Sequence, residues 1–261
     1  MSDIVQYAVQ GRIGIITLNR PEARNAINGD VAKGVEAAVD ALEADPDVWV
    51  GVLCANTEGQ ERPVFSAGAD LKALNSGAGG SIGTRRGGFA GFVYRERDKP
   101  IIVAVDGLAT AGGCEIVLAA DLVVATTRST FGLAEVKRNL IAGAGGLFRL
   151  PRAIGQAAAM EAILTGEPLS AQRAYELGLI SRLVEPGQAM NEAIALAERI
   201  CASAPMAVQL SRKVVLAAAY ESDEHLRAMT DASMAKIMTS DDLKEGLTAF
   251  IEKRPPQWTG H

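Results

Sequence analysis

Residues 101–126 read IIVAVDGLATAGGCEIVLAADLVVAT. Two apolar runs rich in β-branched residues, 101–105 and 122–126, bracket a helix-compatible stretch that opens after Gly112. Apolar strands without alternation, joined through a helix, are what a parallel sheet buried on both faces requires. Glu115 is the misfit in this stretch, a carboxylate inside a run otherwise fit for a core. An acid in such a place needs a reason.

The same rhythm lies upstream. GRIGIITLNRP (11–21) reads as a strand closed by Asn19 and Pro21, residues 30–44 as an alanine-rich helix, and VWVGVLCA (48–55) as a second strand. From about residue 155 the pattern turns helical, through QAMNEAIALAERICASAP, MAVQLSRKVVLAAAYES and DDLKEGLTAFIEKRPP, with Asp and Ser placed as caps. The expectation is an α/β fold with a helical appendage, divided as a core over 1–200 and a helical region over 201–261. Residues 74–92, LNSGAGGSIGTRRGGFAGF, are glycine-dense with neither strand nor helix period, and read as a mobile loop beside a site.

Composition limits the function. A chain of 261 residues, 48% hydrophobic, has enough apolar surface for a substantial core. Its net charge of −5 supplies no global basic field, which argues against nucleic acid as a partner. Asp106, Glu115 and Asp121 interrupt the most apolar region, so no run reaches the roughly 18 residues of a membrane span. The amino terminus has no basic, then apolar, secretory pattern. Cys54, Cys114 and Cys201 are widely spaced in apolar surroundings and read as reduced thiols, which makes a cytoplasmic setting the default. His225 and His261 lie too far from the cysteines for a zinc site, and no metal is expected.

Gly112 and Gly113 stand at the mouth of the helix, where backbone N–H groups are unpaired and carry partial positive charge. Such an end holds an oxyanion, and Glu115, about one turn further on the same face, would stand beside it. FSAGADLKAL (65–74) is a second turn of this type, with the Ala69 N–H as partner donor. Two amides converging on one carbonyl polarise a thioester, acidifying its α proton and making a conjugated β carbon electrophilic. A second acid is then needed near the reacting carbons. Glu135, in STFGLAEVKRNLIAGAGG (129–146), sits where a pocket wall is expected, although alone it would read rather as a surface acid paired with Lys137 or Arg138. Alone, too, Glu115 reads as a helix-start acid, Lys72 and Lys253 as solvated helix residues, and Phe250 as a core or interface aromatic.

FSAGADLK, AGGCEIVLAADLVVA, FGLAEVKRNLIAGAGGLFRLPRAIG, LTGEPLSAQRAYELGLISRLV and GLTAFIEKRPP, in this order and over nearly the whole chain, resemble the crotonase superfamily and specifically its enoyl-CoA hydratases. The resemblance implies a spiral of repeated β-β-α units followed by a helical trimerisation region, assembled as a homo-oligomer, a trimer or a dimer of trimers. It puts Ala69 and Gly112 at the oxyanion-hole positions and Glu115 and Glu135 at the two catalytic glutamates. In that description Glu115 activates the water that adds to the β carbon and Glu135 exchanges a proton with the α carbon. It assigns Lys72, Phe250 and Lys253 to the CoA nucleotide, the latter two reaching a neighbouring subunit's ligand. Ala67, Gly68 and Asp70 would wrap the CoA arm and Arg24 would border the nucleotide. No resident cofactor is implied, because CoA arrives with the substrate.

One departure is Ala111, which stands where the family has the first glycine of a triplet. The same scaffold serves isomerases, carnitinyl-CoA dehydratases, thioester hydrolases and ring-forming synthases, and some members lack the acids and only bind acyl-CoA. GGFAGFVYRERDKPIIVAVDG (87–107) and EKRPPQWTG (252–260) resemble the carnitinyl-CoA dehydratases in particular. GGSIG (79–83) matches a serine-hydrolase elbow in form, but no apolar strand precedes Ser81 and no histidine serves it. No phosphate loop or dinucleotide fingerprint follows a strand.

Overall fold

Val5–Gln10 (β1) and Ile13–Leu18 (β2) form an antiparallel hairpin at the start of the computed structural model, which describes residues 4–75 and 82–261. The chain then crosses through α1 (Gly29–Ala44) to β3 (Val50–Ala55), parallel to β2. Asn28 caps α1 by accepting from the Val31 N–H at 2.9 Å, and Val31, Val35, Val39 and Leu42 repeat at helical spacing on the buried face.

From β3 a three-part unit recurs. A strand of the main sheet leads to a short strand of a second sheet, then to a helix. The first is β3, β4 (Val64–Ser66) and α2 (Leu71–Asn75). A small hairpin, β5 (Gly83–Thr84) with β6 (Gly88–Phe89), precedes the second unit, β7 (Ile101–Val105), β8 (Leu108–Thr110) and α3 (Gly112–Ala119). The third is β9 (Leu122–Thr126), β10 (Thr130–Gly132) and α4 (Gly146–Ile154). Then come α5 (Gln156–Thr165), β11 (Leu169–Ser170), α6 (Ala171–Glu176) and β12 (Arg182–Val184). The last four helices are α7 (Ala189–Cys201), α8 (Pro205–Ala217), α9 (Asp223–Ile237) and α10 (Asp241–Glu252).

The six-stranded sheet runs β1-β2-β3-β7-β9-β12 and the four-stranded sheet β11-β10-β8-β4. Both are parallel apart from the edge strands β1 and β11. This is the β-β-α spiral that the resemblance implies. Its main core lies between the layers, where Phe65, Phe92 and Phe131 are fully buried. A second cluster covers the outer face of the main sheet, where Ala189, Ala193 and Ala197 of α7 meet Val50, Val52, Ile102 and Val124. Small residues four apart let that helix lie close to the strands.

Two expectations are corrected. Of the glycine-dense stretch 74–92, residues 76–81, with Ser81, lie outside the described residues, but 82–92 form the β5–β6 hairpin and successive turns that bury Ala90 and Phe92. Glycine there serves close packing, since a Cβ on Gly91 would stand 2.1 Å from the Ala32 carbonyl of α1. Arg86 pins the hairpin to the same helix by ion pairs to Asp40 (2.6 Å) and Glu36 (3.2 Å). The helical run also begins at Gly146, before residue 155, and two short strands interrupt it. Strands this short leave no readable period.

Candidate active site

The mouth of α3 is shaped by a strained residue. Ala111 sits at φ 51°, ψ −128°, a region costly for a residue with a Cβ, and is held by its N–H donating to the Gly132 carbonyl at 2.8 Å. Its carbonyl accepts from the amides of Cys114 and Glu115, so the chain enters the helix at once. Gly112, the first helical residue, has an N–H with no acceptor among the described residues. On the facing turn, the Gly68 carbonyl accepts from the Ile27 N–H at 2.8 Å and the Asp70 N–H donates to the Ile27 carbonyl at 2.9 Å. Between these two bonds the Ala69 N–H also lacks an acceptor among the described residues. The turns are in contact, because a Cβ on Gly68, which has φ 83°, would lie 2.8 Å from the Gly112 nitrogen. A Cβ on Gly112 would lie 2.4 Å from Phe89 Cζ. Only glycine lets the two amides and the aromatic ring share this space.

Ala69 and Gly112 line a cavity of about 990 Å³. Glu115 and Glu135 line it too, with Arg24, Phe89, Tyr94 and Arg138 among the other residues of its wall. The two acids are held in different ways. Glu115 is only 3% exposed, and its Oε1 accepts from the Ala144 N–H at 2.7 Å and the Gly146 N–H at 2.9 Å. Burial pushes its carboxyl up from the ordinary range. The Glu135 charge adds to that shift, while the two amides and the Arg149 guanidinium pull against it. Glu135 begins the 3-10 turn Glu135–Arg138, and its Oε2 is buried with no hydrogen-bond partner among the described residues. Burial raises this carboxyl as well, opposed by its own backbone N–H and by Arg138. Lys137 is committed elsewhere, to Glu167 at 2.6 Å. Two carboxyls with raised proton affinity beside two free amides can trade protons with a substrate whose carbonyl oxygen the amides hold. Among the described residues no three His, Cys, Asp or Glu side chains gather to hold a metal.

The structure gathers some of the sequence-predicted residues and not others. Arg24, Ala67, Ala69, Gly112, Glu115 and Glu135 meet around the cavity. Gly68 supports it from behind. Asp70 pairs with Arg20 at 2.8 Å and accepts from the Lys72 backbone N–H at 3.0 Å, so its carboxylate ties the turn together. Lys72 is exposed on α2. Phe250, 84% exposed, and Lys253, in a left-handed conformation at the end of α10, are not part of the cavity wall of this chain. Sequence reasoning missed Phe89, Tyr94 and Arg149; Arg138, named there as a partner for Glu135, lines the cavity and acts on that carboxyl. The aromatics had one signal, their place within and just after a glycine-dense stretch.

Residues 8–261 match the family described as Enoyl-CoA hydratase/isomerase, and the chain belongs to it. Among solved structures, an enoyl-CoA hydratase from Mycobacterium marinum superposes with a TM-score of 0.93 at 45% identity, covering 100% of both chains. The chain is 33% identical to the short-chain-enoyl-CoA hydratase of Clostridium acetobutylicum, over 94% of this chain and 93% of that one. It is 35% identical to the carnitinyl-CoA dehydratase of Salmonella paratyphi A, over the full length of both.

Proposed function

We propose that this chain is a hydro-lyase that adds water reversibly across the double bond of a trans-2-enoyl-CoA to give a 3-hydroxyacyl-CoA, in acyl-CoA degradation. The observation that carries the reading is the cavity wall on which two amides without an acceptor among the described residues, of Ala69 and Gly112, stand with the buried Glu115 and the half-buried Glu135. The thioester oxygen takes both amides, which stabilise the negative charge that moves onto it as the β carbon is attacked. Glu115, ionised and fixed by two amides, takes a proton from the attacking water while the hydroxyl bonds to the β carbon. Glu135 delivers a proton to the α carbon as the charge returns from oxygen, and both hydrogen and hydroxyl add from the face that the acids share. The acids titrate as a pair, so the next turnover needs only one proton to pass from one to the other.

Arg24, the Ala67–Asp70 turn and Lys72 receive the CoA arm and its phosphates in this reading. Phe250 and Lys253 reach the CoA of a neighbouring subunit. Leu247, Phe250 and Ile251 of α10 are 57%, 84% and 77% exposed, a surface that an assembly of like chains would cover. Residues 201–261 then form the oligomerisation region of a trimer or a dimer of trimers. Among the described residues no single helix is long and apolar enough to cross a membrane. All three cysteines are unpaired, consistent with the cytoplasm as its site of action.

The full-length similarity to a carnitinyl-CoA dehydratase favours one second reading, removal of water from a carnitinyl-CoA by the same acids. The test is the loss of conjugated-enoyl absorbance with crotonyl-CoA and longer homologues, run beside carnitinyl-CoA. Hydration of the plain enoyl-CoAs supports the first reading. Turnover of carnitinyl-CoA alone supports the second, and release of free thiol from either substrate contradicts both.

A further inference from the structure

Glu115 is oriented by a loop, and the loop is itself gripped. The Ala144 N–H that donates to Glu115 belongs to the peptide group whose carbonyl is that of Gly143, and the Tyr94 hydroxyl donates to this same carbonyl at 3.1 Å. A donor on one end of a peptide group polarises the N–H at the other end, so hydroxyl, peptide and carboxylate form one hydrogen-bonded chain. The next carbonyl, that of Ala144, accepts from Arg149 Nη1 at 3.1 Å. Arg149 also donates to the Val93 carbonyl and lies over the Tyr94 ring, 5.4 Å from its centroid. It therefore ties the loop before α4 to the turn segment that carries Tyr94. Resting on the reading that Glu115 is a catalytic base, we propose that Tyr94 and Arg149 are positioning residues that act on Glu115 through the peptide groups of residues 143–145, fixing its orientation and its readiness to ionise.

Glu115 faces Glu135 across the cavity wall and Arg149 from α4, and Cys114 is its neighbour in α3, with a thiol that burial and both acids keep protonated. Arg149 in turn feels Tyr94, Glu115 and Arg152. Tyr94→Phe takes away only the hydroxyl and leaves the ring under Arg149. Arg149→Met takes away the charge and the fork, while Arg149→Lys restores the charge without the planar fork. A group that holds the ionised form of Glu115, once removed, moves that carboxyl to higher pH.

The direct test is the pH titration of the Glu115 side-chain carboxyl, followed by carbon NMR in the full chain labelled at the glutamate carboxyl carbon, with Glu115→Gln identifying the signal. The expected result is a higher midpoint in Tyr94→Phe and Arg149→Met, and partial return in Arg149→Lys. In parallel, kcat/KM for crotonyl-CoA on its acidic limb falls roughly three- to tenfold in the first two variants, with the limb displaced upward. An unmoved midpoint in both overturns the proposal, even where the rate falls, because a role in packing alone lowers the rate without moving the carboxyl. If the wild-type chain does not hydrate crotonyl-CoA, it is the proposed function that fails, and the titration still decides this inference.

Discussion

Glu115 and Glu135 line one cavity and are built in opposite ways. Glu115 projects from a regular helix, almost fully buried, with one oxygen clasped by two amides that come from the start of another helix. Glu135 projects from a single 3-10 turn and leaves an oxygen buried without a hydrogen-bond partner among the described residues. Burial raises both carboxyls, but only the first has backbone donors from elsewhere in the fold that favour its ionised form. The contrast teaches a division of labour. The clasped acid is held by two amides that favour its charge, which suits the base of the proposed reaction. The other, with a buried oxygen that accepts no hydrogen bond among the described residues, lacks such support for its charge, which suits the proton donor of the proposed reaction.

The sharpest way to break this contrast is to replace an acid by its amide, which keeps the shape but can neither ionise nor carry the proton. Glu115→Gln keeps an oxygen for the Ala144 and Gly146 amides, so it should fold normally, yet hydration should fall roughly a hundred- to ten-thousandfold, measured as kcat on crotonyl-CoA. Next in size is Gly112→Ala, whose Cβ would meet Phe89 at 2.4 Å and displace either the ring or the amide. A loss of about a hundredfold in kcat is expected, in line with the loss of one oxyanion donor.

Wild-type kcat/KM should itself fall on its acid side at a pH above the ordinary carboxylate range, because burial lifts the base that must be ionised. Glu135→Gln separates the acids by stability. A carboxyl raised in the folded state stabilises the fold while protonated and loses that contribution as pH rises through its folded value, so the neutral amide should be the more stable form near pH 8. A Tm higher by roughly 2–4 °C there, with the gap closing toward pH 4, is the calorimetric expectation. The smallest effect belongs to Ala111→Gly, which relieves φ 51° at the helix mouth and should add about 1 kcal/mol of stability with activity kept.

The sequence is most legible where physics repeats. Strands β3, β7 and β9 announce themselves as apolar runs, because burial on both faces forces that pattern, and α1 by its alanine-rich composition. The second-layer strands Val64–Ser66, Leu108–Thr110 and Thr130–Gly132 are too short to carry a period, and their place in the spiral came from resemblance alone. For the site, the glycines at 68 and 112 marked the two turns, since close backbone approach leaves no alternative residue. Arg149 gave no such sign, and Tyr94 only its place just after a glycine-dense stretch. Their roles depend on carbonyls at Val93, Gly143 and Ala144 that become neighbours only in three dimensions. Asp70, an expected CoA contact, spends its carboxylate on Arg20, a pairing across 50 residues that no local pattern encodes.

The central claim is that the amides of Ala69 and Gly112 jointly hold the thioester oxygen while both acids face the reacting carbons. A crystal structure of the chain with a bound acyl-CoA tests it most directly. The account predicts the thioester oxygen at about 2.7–3.1 Å from both amide nitrogens, with the side chains of Glu115 and Glu135 toward the α and β carbons. A thioester oxygen bound elsewhere, with either amide turned to another acceptor or either acid turned to bulk water, would contradict it.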